Sequence, residues 1–229
     1  MLFRSVHAQT RAVVLHECLM RIQRSDGEIA QAGEIVPVAE RLGLVRMLDH
    51  RMLELVLAEL AADPSLQASM NVSPMSALGK EWSAGLAALL RGAPQIAERL
   101  TIEITETAAI QDVDDACGFV TRVKDLGCRV AIDDFGAGYA SFRNLRRLGV
   151  DMVKVDGAFV QNIVKSEEDR AFVRTLIELA RRLSLTTVAE WVQDEEAARL
   201  LSGWGCDYLQ GALVGLATPE RHPAGSAAA

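Results

Sequence analysis

The segment Arg129-Val-Ala-Ile-Asp-Asp-Phe-Gly-Ala-Gly-Tyr-Ala-Ser-Phe-Arg-Asn-Leu-Arg-Arg-Leu-Gly-Val-Asp-Met-Val-Lys-Val-Asp156 decides the fold. Arg129–Asp133 is an apolar run of β type. A loop with Gly136 and Gly138 follows, then a helical pattern over 141–148, then a second apolar run, Asp151–Val155. A strand, a helix and a strand in that order make a βα unit, whose two strands lie parallel because the helix carries the chain back.

The same rhythm extends in both directions. Further strands are expected at Leu2–Val6, Ala12–Ile22, Ala68–Val72, Leu100–Thr105, Thr186–Glu190 and Cys206–Gln210. Helices are expected near 34–62 (in two pieces), 75–91, 112–126, 157–183 and 194–202. In the long one, Phe172, Val173, Leu176, Ile177, Ala180 and Leu183 recur at helical spacing. Eight strands in a chain of 229 residues predict an α/β fold, a (β/α)8 TIM-type barrel. The first two strands are only about five residues apart, too close for a crossover helix. They are expected to pair as a hairpin, giving a modified barrel with an antiparallel first strand. The barrel domain is read as 1–218, and the Ala- and Gly-rich end, 219–229, as a flexible tail.

Composition limits the function. Half of the residues are apolar and 24% are charged, which is ordinary globular usage. The net charge of −7 argues against a polymeric nucleic-acid partner, which needs a basic face, but leaves room for a small anion held by metal ions. No apolar stretch approaches the roughly 18 residues of a membrane span, and Met1–Thr10 does not resemble a signal peptide. Cys18, Cys117, Cys128 and Cys206 form no CxxC pair, and the histidines lack ligand spacing, so thiolate or imidazole zinc is not expected. The cysteines read as reduced packing residues of a cytoplasmic protein.

The strand ends carry the chemistry. Strand two contains Glu17, strand three ends in Asn71, strand four carries Glu103 with Glu106 beyond, and strand five ends in Asp133-Asp134. Strand six carries Lys154 and Asp156, strand seven ends in Glu190 and strand eight in Gln210. Any one of these acids could merely cap the next helix. Six strands in succession, the third to the eighth, could not, and in a barrel these ends converge on the face that holds active sites. Converging carboxylates repel unless cations neutralise them, and an all-oxygen set favours Mg2+ or Mn2+. Adjacent aspartates suit two ions, a common device for phosphodiester hydrolysis. Lys154 reads either as a group that orients the attacking water or as the ion-pair partner of a neighbouring acid. The Gly136–Ser141 loop half-matches a dinucleotide fingerprint but lacks its third glycine, and Asp134-Phe-Gly136 has no accompanying kinase motifs.

At these residues the chain resembles the EAL domain family, the cyclic di-GMP phosphodiesterases. His16-Glu-Cys-Leu-Met-Arg21 aligns with the signature that names the family, with Cys18 at the usual alanine. Asn71-Val-Ser73, Glu103-Ile-Thr-Glu106, Asp133-Asp-Phe-Gly-Ala-Gly-Tyr139, Lys154-Val-Asp156, Val188-Ala-Glu190 and Gly205-Cys-Asp-Tyr-Leu-Gln-Gly211 follow in family order. The resemblance implies Glu17, Asn71, Glu103 and Asp133 as ligands of one ion, with Asp133 bridging and Asp134 and Glu190 serving a second. It implies Lys154 positioning the water, Glu190 as a base, and Glu17 and Asp134 as parts of the catalytic set. Arg21, Leu19, Asp156 and Gln210 are implied at the substrate, and Glu106 as the acid that holds the Gly136–Tyr139 loop. It also implies a homodimer and upstream sensor or cyclase domains.

The chain departs from the family in five places. Arg4-Ser5 stands where Gln-Pro is usual, Trp191 and Gln193 stand at a glycine and a glutamate, and Ala212 and Val214 replace aromatics. Trp191 is expected to crowd the second ion, so that Trp191→Gly raises activity. Two functions are therefore carried forward. One is metal-dependent opening of cyclic di-GMP to linear pGpG, with activity possible at a reduced rate. The other is a weak or inactive barrel that acts as a cyclic di-GMP receptor or a protein-interaction module.

Overall fold

The computed structural model describes residues 1–77, 79–138 and 142–218, with the backbone alone for Phe142. The chain begins with β1 (Leu2–His7), β2 (Val13–Cys18), β3 (Arg21–Gln23) and β4 (Ile29–Gln31), then α1 (Ala32–Arg41) and α2 (Val45–Ala62). It continues through β5 (Ala68–Asn71), α3 (Pro74–Ala77), α4 (Lys80–Leu89), α5 (Pro94–Ala97), β6 (Leu100–Thr105), α6 (Glu106–Gln111) and α7 (Val113–Asp125). Next come β7 (Arg129–Phe135), α8 (Phe142–Leu148), β8 (Met152–Val155), α9 (Gly157–Val160) and α10 (Glu167–Arg182). The last elements are β9 (Thr186–Ala189), α11 (Glu195–Trp204) and β10 (Tyr208–Gln210).

Eight strands close a barrel in the order β1-β10-β9-β8-β7-β6-β5-β2. β1 runs antiparallel to both of its neighbours, and every other barrel pair is parallel. The modified barrel expected from the short first hairpin is therefore present. Outside it, β3 and β4 form a two-stranded antiparallel sheet.

Two apolar regions hold the fold together. Leu53, Leu60, Met70, Leu86, Ile102, Phe119, Ile132, Val153 and Ile177 are buried in the shell between barrel and helices. The long helix delivers its stripe as expected: Val173, Leu176, Ile177 and Ala180 are buried, Ser166 caps the start, and Arg181 and Arg182 lie in the last turn. A smaller cluster of Leu15, Ala131, Met152 and Val188 is separate from that shell. Side chains alternate along a strand, so the residue two further on shares the same face. Those residues are Glu17, Asp133, Lys154 and Glu190. The same step leads from Ser69 to Asn71, from Thr101 to Glu103 and from Tyr208 to Gln210.

Several expected boundaries are corrected. The strand expected at Ala12–Ile22 ends at Cys18, which pairs with Leu2, the first residue of β1, on one side and with Met70 on the other. Leu19 N–H then donates to the Met1 carbonyl, and the chain pairs with Ile29–Gln31 instead. The helix expected over 157–183 breaks between α9 and α10, where the Arg170 guanidinium donates to the carbonyls of Ile163 and Val164. The 75–91 helix divides into α3 and α4. The last strand starts at Tyr208 rather than Cys206, since Asp207 accepts from Thr187 N–H and Oγ. α5 and α6 are too short to leave a periodic signal. The tail expected at 219–229 lies outside the described residues, as does Tyr139 of the glycine loop. Among the described residues no helix is long and apolar enough to cross a membrane.

Candidate active site

Lys154 ends the inward face of β8 at 2% exposure, and its surroundings are acidic on every side. Its Nζ lies 2.8 Å from Glu103 Oε2, 2.8 Å from Glu190 Oε1, 3.0 Å from Asp133 Oδ1 and 3.2 Å from Glu17 Oε2. One ammonium with three N–H donors faces four carboxylates. Glu17 has further partners: Asn71 Nδ2 donates to Oε1 at 2.8 Å, and Gln210 Nε2 to Oε2 at 3.1 Å.

The charge excess marks the acids. Burial pushes Glu103 up to about 8, against the pull of Lys154 and with help from Glu17 and Asp133. Burial also takes Glu190 to about 8. For Glu17 burial pulls upward, but Lys154 and the Asn71 and Gln210 amides outweigh it and leave the carboxyl below its ordinary range. Burial alone would lower Lys154, yet Glu103, Glu17, Glu190 and Asp133 hold it well above its usual value. Asp134 is raised by burial and by the charges of Asp133 and Asp156.

These carboxylates fit an oxygen-coordinated cation. Ligand oxygens of Glu17, Glu103 and Asp133 lie within 4.8 Å of one another, and so do those of Asp133, Asp134 and Glu190. Asp133 belongs to both groups. Among the described residues, Glu103 Oε1 is buried without a hydrogen-bond partner, an acceptor of the kind a cation takes up.

Asp134 joins the cluster through backbone geometry. Consecutive strand residues face opposite ways, so the Asp133-Asp134 pair could not converge in a regular strand. Asp134 has φ +54°, and the β7–β8 register shifts between Ile132 and Phe135. This irregularity turns both aspartates towards Glu190. The Asp-Asp doublet at a strand end was the available signal, but its left-handed residue was not foreseen.

The remaining expected residues are distributed around this centre. Glu106 starts α6 and is buried; its Oε2 accepts from Gly136 N–H at 2.8 Å and Gly138 N–H at 3.0 Å. A Cβ on Gly138 would lie 2.9 Å from the Glu106 carboxyl carbon, so glycine is what permits this approach. Asp156 caps α9 by accepting from Ala158 N–H. Leu19 lines two cavities beside β2. One, about 340 Å³, includes Arg21 and Met52, and the other, about 360 Å³, includes Asn71, Ser73 and Thr105. Arg21 donates to the Met20 carbonyl at 2.7 Å rather than to an acid of the cluster. Trp191, expected to crowd the second ion, has its indole against Gly157 of the α9 turn.

Two outcomes follow from this geometry. Glu106→Ala strands two backbone N–H groups and is expected to cost about 1–3 kcal/mol in denaturant unfolding. Unchanged stability would mean that the loop does not rest on Glu106. Glu103 and Glu190 carry folded pKa values above their ordinary 4.5. The stabilisation from their bound protons is complete below about 4.5 and is lost as pH rises through about 8. In chelator the thermal midpoint should therefore fall as pH rises from about 4.5 to about 8, and a saturating divalent cation should flatten that slope. A flat profile in chelator contradicts it.

A closed mixed barrel with a ring of acids around one lysine defines a site for oxygen-coordinated cations at the carboxyl ends of parallel strands. The EAL domain model matches residues 1–217, and the chain belongs to the EAL domain family. The cyclic di-GMP phosphodiesterase PdeF of Escherichia coli is 34% identical over 213 residues, 91% of this chain and 28% of that protein. PdeB of Shewanella oneidensis, another cyclic di-GMP phosphodiesterase, is 34% identical over 211 residues, 89% of this chain and 24% of that protein. The chain thus spans about a quarter of the length of these relatives. Among solved structures, the PaMucR phosphodiesterase in its c-di-GMP complex superposes with a TM-score of 0.87 at 26% identity, covering 95% of this chain and 90% of that one.

Proposed function

We propose that this domain hydrolyses cyclic di-GMP to linear pGpG with Mg2+ or Mn2+. The observation that supports this reading most is the pair of carboxylate groups sharing Asp133 around the Lys154 ammonium. Glu17, Asn71, Glu103 and Asp133 would hold one ion, and Asp133, Asp134 and Glu190 a second. Two such ions, when bound, clamp the attacking and leaving oxygens of an in-line displacement at phosphorus.

The protein's own groups do the rest. Lys154 orients the attacking water and offsets charge that builds on the phosphoryl oxygens. Glu190, held by its ion pair with Lys154, accepts the water's proton. Gln210 and Asn71 fix the Glu17 carboxylate. Arg21 and Leu19 meet the substrate from the adjoining cavities, Arg21 at a phosphate, and Asp156 binds from the α9 turn. Glu106 holds the glycine loop beside the centre. The domain is read as 1–218 of a cytoplasmic protein that works as a homodimer beneath sensor or cyclase domains.

Incubation with cyclic di-GMP and Mg2+ or Mn2+, followed by nucleotide separation, tests the reading. Appearance of pGpG that chelator prevents is expected. Measurable binding with no pGpG at high protein concentration would instead support a receptor.

A further inference from the structure

We propose that Trp191 is a stacking surface for a purine base of the substrate, set at the barrel mouth on the α9 turn. This rests on the cyclic di-GMP reading and adds to it the residue that receives a base. Trp191 follows Glu190 directly, so its Cα is one peptide step from that of a residue ion-paired to Lys154. It is 51% exposed, and among the described residues it is the one aromatic with a large exposed surface.

Its position is held from several sides. Trp191 has φ +51°, a left-handed conformation that glycine takes freely and a bulky side chain rarely does. Such an outlier persists where the surroundings over-determine it, and it tends to occur at ligand sites. Here Glu190 N–H donates to the Val155 carbonyl, Val192 N–H to the Gln210 carbonyl and Leu213 N–H to the Val192 carbonyl. Trp191 is thus pinned between β8 and β10. The indole meets Gly157, where a Cβ would overlap its Cγ and Cδ2. Gly157 is the seat of the ring, and any side chain there would displace it.

A ring fixed on one side and open to solvent over half its surface is pre-organised for a flat apolar partner. Every base has a π-face, and base–aromatic stacking is strong enough to change affinity about tenfold or more. The rest of the centre is acidic and suits cations and phosphate, so a purine gains little there.

The test compares the wild type with Trp191→Phe, Trp191→Ala and Trp191→Gly. Readouts are equilibrium binding of cyclic di-GMP in EDTA, tryptophan emission during the same titration, KM and kcat in Mg2+, and the thermal midpoint. Trp191→Phe should bind within about threefold of the wild type but lose the emission change. Trp191→Ala and Trp191→Gly should bind about tenfold or more weakly, with KM rising more than kcat falls. The Trp191→Gly midpoint should equal or exceed that of the wild type, because glycine relieves the left-handed strain. Wild-type affinity in both small variants, or tighter binding by Trp191→Gly, overturns the proposal while leaving the substrate reading intact. No binding and no turnover by any of the four chains overturns both.

Discussion

Lys154→Met lowers the stability of the cation-free protein by about 3–5 kcal/mol, since removing one partner of a buried ion-paired set leaves the others uncompensated. In a domain of this size that lowers the thermal midpoint by about 6–20 °C. Four carboxylates lie within 3.2 Å of the ammonium, and Glu103 and Glu190 already titrate near 8 with it present. Without it, the acids must take up protons or repel one another. Saturating divalent cation should therefore recover more stability in the variant than in the wild type. Turnover should stay at least about a hundredfold down, because the ion cannot replace a positioned N–H donor. Calorimetry in EDTA and in Mg2+ measures the first effect, and nucleotide separation the second. A variant as stable as the wild type in chelator would mean that the acids do not depend on the ammonium.

Asp133→Asn is expected to abolish cation binding and turnover together. The change preserves volume and removes the one charge common to both carboxylate groups. A ligand that binds only the folded state stabilises it by about 2.7 kcal/mol at a hundred times its dissociation constant. For the wild type that is a rise of roughly 5–10 °C on adding cation, and the variant should show little of it. Turnover should fall by about a hundredfold or more. Asp134→Asn is the informative comparison, because asparagine tolerates the left-handed backbone at φ +54° and only the charge is lost. Asp134 belongs to one group rather than both, so its variant should keep part of the thermal shift. Equal losses in the two variants, or near-normal turnover in Asp133→Asn, would show that Asp133 does not bridge.

Much of this was legible in the sequence, for a specific physical reason. In a parallel barrel the chemistry lies at the carboxyl ends of strands, and strands have a period of two. Glu17, Glu103, Asp133, Lys154 and Glu190 could therefore be assigned to one mouth from their places in apolar runs. The short first hairpin likewise indicated the antiparallel strand. What was not legible depends on contacts between distant segments. β2 ends at Cys18, opposite the first residue of β1, and a propensity run through Ile22 carries no record of that pairing. Lys154 had two readings, a water-positioning group or an ion-pair partner, and only its four neighbours identify the ion pairing. Trp191 departed from the family's glycine, but its seat on Gly157 joins two turns that no local pattern connects.

The central claim is that the acids around Lys154 bind catalytic cations through a shared Asp133. Anomalous diffraction from crystals equilibrated with Mn2+ tests it most directly. Two anomalous peaks should appear at the barrel mouth, each within bonding distance of an Asp133 oxygen, one towards Glu17 and Glu103 and the other towards Asp134 and Glu190. No peak there at saturating Mn2+, or peaks that do not touch Asp133, would contradict the account.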